Sequence, residues 1–130
     1  MKVNTVKRFF ELIEGFNTEE ADYKDVLHPD IEQTEYPNLI TASPTICDYK
    51  TLLTRIPQGK ALLKEQHYDI QRVYEQEDTV ITEVIWTATV GIDAGAFKAG
   101  QPLRAYFCCI FEFKEGKIYR QRNYDCFERT

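Results

Sequence analysis

Residues 116–128 read Gly-Lys-Ile-Tyr-Arg-Gln-Arg-Asn-Tyr-Asp-Cys-Phe-Glu, and they form the last extended segment of the chain. Alternate positions along it run Tyr119, Gln121, Asn123, Asp125: an aromatic, two amides and a carboxylate. Successive strand residues point to opposite faces of a sheet. Which face carries this polar row decides whether the fold encloses a polar-floored cavity or only a solvated outer surface.

The preceding hairpin, Phe-Glu-Phe-Lys-Glu-Gly-Lys-Ile-Tyr from Phe111 to Tyr119, sets the register. A two-residue turn on Glu115-Gly116 forces Glu115 to positive φ, which is uncommon for glutamate. A three-residue loop, Lys114-Glu115-Gly116, needs positive φ only at Gly116, and it is the preferred reading. Phe113 then opposes Lys117, Cys109 lies beside Gln121, Phe107 beside Asn123 and Ala105 beside Asp125. The row Leu103, Ala105, Phe107, Cys109, Phe111, Phe113 is wholly apolar, so it is expected in the core, with Gln121, Asn123 and Asp125 on the same inward face. The other register would mate the polar row with Arg104, Tyr106, Cys108, Ile110 and Glu112. An acid and two amides buried without partners cost several kcal/mol, on the order of a small domain's stability. They therefore either satisfy one another in a closed network or face water or a ligand in a cavity. On the other face, Tyr106, Ile110, Ile118 and Tyr124 lie among Arg104, Glu112, Arg120 and Arg122, a mixture that suits an interface or a solvated exterior.

Working outward, three segments ahead of the hairpin alternate with period two: Gln66–Glu75; Thr79–Val90, whose row Val80, Thr82, Val84, Trp86, Ala88, Val90 is largely apolar; and Leu103–Phe113. Before them the period is helical. Val3, Val6, Phe9, Phe10, Ile13 and Phe16 mark a helix over roughly residues 3 to 16. Asn17-Thr18 caps a short second helix ending near Leu27. Pro29 and Pro37 bracket a short extended piece, which Pro37 confines to an edge or an end. Ser43-Pro44 starts a third helix, kinked or interrupted at Pro57 and Gly59. Helices first and antiparallel strands second predict an α+β domain, with the helices on one face of a curved sheet.

The 130 residues suit a single domain, and a formal net charge of −5 argues against a nucleic-acid groove. The N-terminal stretch is broken by Arg8, Glu11 and Glu14, so neither an export signal nor a membrane span is expected. Cys47, Cys108, Cys109 and Cys126 form no CxxC and read as reduced thiols of a cytoplasmic protein. With only His28 and His67 besides, neither metal nor cofactor is expected.

The pieces Val6–Asn17, Leu27–Asn38, Val80–Gly91 and Phe107–Asp125, best of all its part Phe111–Asp125, resemble the nuclear-transport-factor-2-like superfamily, specifically its SnoaL-like, polyketide cyclase-like branch, over almost the whole of residues 1–130. The resemblance implies a cone-shaped, mostly antiparallel sheet of the cystatin-like kind wrapped around N-terminal helices, a pocket at its open end, and often a homodimer through the outer sheet face. In many members a carboxylate in an apolar pocket moves a proton. Against the ketosteroid isomerase pattern, the tyrosine of the first helix falls on Phe9, the catalytic aspartate on Tyr36 and the protonated carboxyl on Cys109. Steroid isomerisation is therefore not expected. Asp125 matches the inward carboxylate of the SnoaL-like cyclases and is the expected general base. Asn123 and Gln121 would orient a carbonyl or water, and Tyr36, Trp86, Phe107, Cys109 and His67 would line the pocket. The expectation is a small apolar carbonyl ligand turned over by acid/base chemistry; the alternative is a non-catalytic ligand-binding or dimerising module.

Overall fold

The computed structural model describes residues 2–129. Helix α1, Lys2–Glu14, buries Val6, Phe9 and Phe10 of the expected stripe and Leu12 besides, while Val3 and Ile13 are half-buried and Phe16 lies beyond its end. It ends as Phe16 turns to φ 53°. Helix α2 is one turn, Glu20–Tyr23, and does not reach Leu27 as expected. Leu27 belongs to the sheet instead, opening strand β1, Leu27–Glu35, and pairing with Ile118.

Pro37 lies just past the end of β1, as expected, but Pro29 lies inside it. The strand tolerates that proline because its ladder is interrupted between Leu27 and Glu32, so no pairing bond is lost there. Strand β2, Thr45–Cys47, covers the free edge of β1. This corrects the predicted helix start at Ser43-Pro44. Thr45 and Ile46 are β-branched and find a partner strand, and the cap is Asp48, whose carboxylate accepts the Thr51 N–H at 2.9 Å. Helix α3 then runs unbroken from Tyr49 to Leu62 through Pro57 and Gly59. Pro57 removes one backbone donor from it without ending it.

Strands β3 (Leu63–Gln76), β4 (Thr79–Val90), β5 (Pro102–Lys114) and β6 (Lys117–Phe127) follow in succession. The six strands form one curved, unclosed, mostly antiparallel sheet in the order β2-β1-β6-β5-β4-β3, with β1 parallel to β6. The helices pack on its inner face over a core built from α1, Tyr23, Ile31, Val80, Val84, Phe111 and Ile118. Among the described residues no helix is long and apolar enough to cross a membrane.

The closing hairpin departs from expectation twice. Lys114 pairs with Lys117, so the loop is Glu115-Gly116, with φ of 55° and 78°. This is the two-residue turn that the sequence argued against. A bulge follows: Phe113 pairs with Ile118 but Glu112 with Arg120, which leaves Tyr119 as the extra residue. The shorter turn slides the register by one, and the bulge slides it by one more. Phe111 therefore opposes Gln121, Cys109 opposes Asn123 and Phe107 opposes Asp125. Two slips restore the face, because the side-chain period is two. The polar row points inward as expected, without Tyr119, and Ile118, expected outside, is fully buried.

Candidate functional site

Between the inner sheet face and helices α1 and α3 lies a cavity of about 270 Å³. Strand β6 contributes Gln121, Asn123 and Asp125, while β5 contributes Phe107 and Cys109 and β4 contributes Trp86. All six are placed together as the alternation requires. The other two predicted wall residues are elsewhere. Tyr36 stacks on Tyr124 at 4.7 Å between ring centroids, on the outer face, because its neighbour Glu35 takes the inward position. His67 is 63% exposed beside Glu65, because Gln66 and Tyr68 on either side turn into the cavity.

The walls near Asp125 are aromatic. Trp86 stacks on Phe107 at 5.5 Å and 21°, and Phe127 packs against both. Asp125 Oδ1 is buried and has no hydrogen-bond partner among the described residues. Burial, and then the charge of Glu35, pushes its carboxyl up to about 7. Burial, and then the proximity of Asp125, likewise raises the Cys109 thiol well above its ordinary value, so it is a neutral wall group. Burial also raises the Tyr68 phenol, with Cys109 and Asp125 next in effect.

Two charged lining residues were absent from the sequence reading. Glu35 sits at the end of β1, paired in register with Asn123. Its Oε1 accepts from Thr41 Oγ1 at 2.7 Å and from Asn38 Nδ2 at 3.3 Å, and its Oε2 accepts from Arg55 Nη2 at 3.4 Å. Arg55, on α3, also donates to Cys47 Sγ at 3.1 Å. The alternation Ile31, Gln33, Glu35 carried the signal for Glu35, but only if β1 is extended beyond a short piece. Arg55 sits beside Leu52, Ile56 and Gly59 on the helix stripe that lines the cavity, and a lone arginine in such a stripe was the clue to it.

The two glutamines of the cavity differ. Gln66 is satisfied at both ends: Trp86 Nε1 donates to its Oε1 at 3.0 Å, and its Nε2 donates to the Ile13 carbonyl at 2.7 Å. Gln121 Nε2 donates to Asn123 Oδ1 at 3.0 Å, while Gln121 Oε1 is buried with no donor among the described residues. Two acceptors without partners thus share one aromatic chamber with an Arg55–Glu35 ion pair. The arrangement can hold a small ring compound and exchange a proton with it at Asp125.

The SnoaL-like domain matches residues 6–121 of the chain. The match ends at Gln121, so Asn123 and Asp125 lie beyond it. Several solved structures share the fold. IdmH, a candidate polyketide cyclase from Streptomyces antibioticus, superposes with a TM-score of 0.81 at 14% identity, over 96% of this chain and 91% of its own. An LEH-like epoxide hydrolase from M. tuberculosis gives 0.70 at 17% identity, over 98% and 82%. AclR, a candidate hydroxylase from Streptomyces galilaeus, gives 0.75 at 13%, over 95% and 77%. No curated protein matches the sequence. At these identities the likeness carries the fold alone.

Proposed function

The chain belongs to the SnoaL-like family, and on that premise we propose that it binds a small, largely apolar carbonyl compound and moves a proton on it with Asp125, as a cyclase, isomerase, dehydratase or hydrolase does. One observation carries this reading: a carboxylate oxygen buried in an aromatic-walled cavity with no hydrogen-bond partner among the described residues. A carboxyl that titrates near neutrality is a stronger base than a solvated aspartate and still loses its proton at working pH. At about 270 Å³ the chamber lies close to the lower end of small-molecule pockets, roughly 300 Å³ and upward. It suits a compound of a few rings at most.

The test is α-proton exchange. The protein is incubated in D2O with a panel of cyclic and aryl ketones, with and without a ring hydroxyl, and deuterium uptake is read by NMR. The rate should rise with pH through about 7 and fall on the order of 100-fold or more in Asp125→Asn. Exchange that is unchanged in the variant removes Asp125 as the base.

A binding or dimerising module is the second reading, favoured by the outer sheet face, where Tyr106 and Tyr124 are 44% and 41% exposed. A homodimer through this face would cover both rings. Sedimentation of the wild type against Tyr106→Arg/Tyr124→Arg tests it; identical masses would end the idea. The four free cysteines support a reducing, cytoplasmic setting.

A further inference from the structure

We infer that Gln121 is a specificity residue that recognises a hydroxyl group: its Oε1, in the floor of the cavity, accepts a hydrogen bond from an O–H on the ligand, so the substrate is a hydroxylated ring compound and not a bare ketone. The inference rests on the preceding reading that the cavity takes a small carbonyl compound, and it narrows the class.

Gln121 is 2% exposed, so its amide cannot turn to solvent. Its Nε2 donates to Asn123 Oδ1 at 3.0 Å, and Oε1 is the end of the amide left over. Its cross-strand neighbours are Phe111 and Cys109 on β5, a hydrocarbon ring and a weakly donating thiol, and Gln33 on β1, whose amide is not bonded to Gln121 Oε1. Buried acceptors in folded proteins find a donor, and Gln66 of the same cavity has one for its own Oε1 in Trp86. The contrast between the two glutamines points to a donor that arrives with the ligand.

The second acceptor without a partner, Asp125 Oδ1, lies on the same strand face four residues on, roughly 13 Å away between Cα atoms at the usual rise of a strand. The stacked pair Trp86–Phe107 lines the same chamber. A ring compound would therefore enter with its hydroxyl leading toward Gln121, lay its rings on the aromatic wall, and leave its proton-yielding position toward Asp125. A site built to accept from a hydroxyl discriminates strongly against an analogue that lacks one, because the acceptor is then left buried and unpaired.

The test uses three probes of similar shape: 2-naphthol, 2-methoxynaphthalene and 2-acetonaphthone, titrated calorimetrically into the wild type and into Gln121→Met. The wild type should bind the naphthol on the order of tenfold or more tighter than the ether or the ketone. The near-isosteric methionine should remove that preference while keeping affinity for the ether. Equal affinity for the three probes, no binding of any of them, or a naphthol preference that survives in Gln121→Met overturns the inference. If the variant does not fold, the wild-type series decides alone. None of these titrations requires turnover. Failure here leaves the Asp125 exchange test standing, and failure of that test leaves hydroxyl recognition standing.

Discussion

Glu115 Oε1 accepts a hydrogen bond from His28 Nε2 at 3.0 Å, which ties the tip of the last hairpin to the first strand. The ring's other nitrogen, Nδ1, accepts the Asp30 N–H at 3.0 Å, so Nε2 carries the proton and donates. This bond explains why a glutamate occupies a left-handed position. The conformational penalty at φ 55° is offset by a partner for a buried imidazole, His28 being 6% exposed. Glu115→Gln keeps an acceptor and should melt close to the wild type. Glu115→Leu strands the imidazole N–H and should melt lower. Thermal unfolding of the two variants checks this, and equal midpoints would show that the bond contributes nothing.

Asp125 makes stability depend on pH. Its folded pKa, about 7, lies above the ordinary aspartate value of 3.8, so between those values the native state binds more protons than the unfolded chain. The contribution of Asp125 to stability is therefore fully present below about pH 4, falls as pH rises toward 7 and levels off above. The shift corresponds to a loss of order 4 kcal/mol at most. Asp125→Asn lacks this slope. Relative to the wild type it should gain stability between pH 4 and pH 8 in urea titrations, and parallel pH profiles for the two proteins would contradict the buried carboxyl.

Glu35 helps set that pKa. The other titratable and charged groups lining the cavity with Asp125 are Glu35 from β1, Arg55 from α3, Tyr68 from β3 and Cys109 from β5. Burial raises the Asp125 carboxyl first and the Glu35 charge second. Glu35→Gln keeps the acceptor for Thr41 and removes the charge, so Asp125 should titrate lower, though still above an exposed aspartate. Carbon-13 NMR of the labelled aspartate carboxyls reads this directly. An unmoved Asp125 titration in the variant would show that Glu35 is electrically silent there.

The Tyr119 bulge should matter by length more than by chemistry. Tyr119→Ala keeps the extra residue and loses the edge contact with the His28 ring and the stacking of Arg120, a cost of about 1 kcal/mol. Deleting Tyr119 shifts the parity of everything beyond it, so either Ile118 or the row Gln121, Asn123, Asp125 must face the wrong way. The deletion should cost several kcal/mol or abolish cooperative unfolding. Similar melting of the two variants would mean that the register is set elsewhere.

Local chemistry was sufficient for much of this protein. Val6, Phe9, Phe10 and Ile13 recur at helical spacing, and Val80 through Val90 alternate. These periods define α1, the four long strands and the buried rows of β4 and β5, because hydrophobic burial acts on every turn and every second residue regardless of partner; they left the face of β3 open and put Ile118, which is buried, outside. The inward direction of Asp125 was expected from the apolar row on β5 together with a three-residue loop that does not form; the two-residue turn and the Tyr119 bulge offset each other, so the face came out as expected although the turn did not. What sequence could not decide was anything that depended on a distant partner. Glu115 takes positive φ because His28 waits on another strand. Thr45–Cys47 is extended because β1 offers an edge. Glu35 enters the cavity because β1 runs beside β6, and Arg55 meets it there from a helix. Tyr36 and His67 turn outward because Glu35, Gln66 and Tyr68 hold the inward positions. Each of these outcomes is a pairing across the chain, and its energy exists only once both members have been brought together.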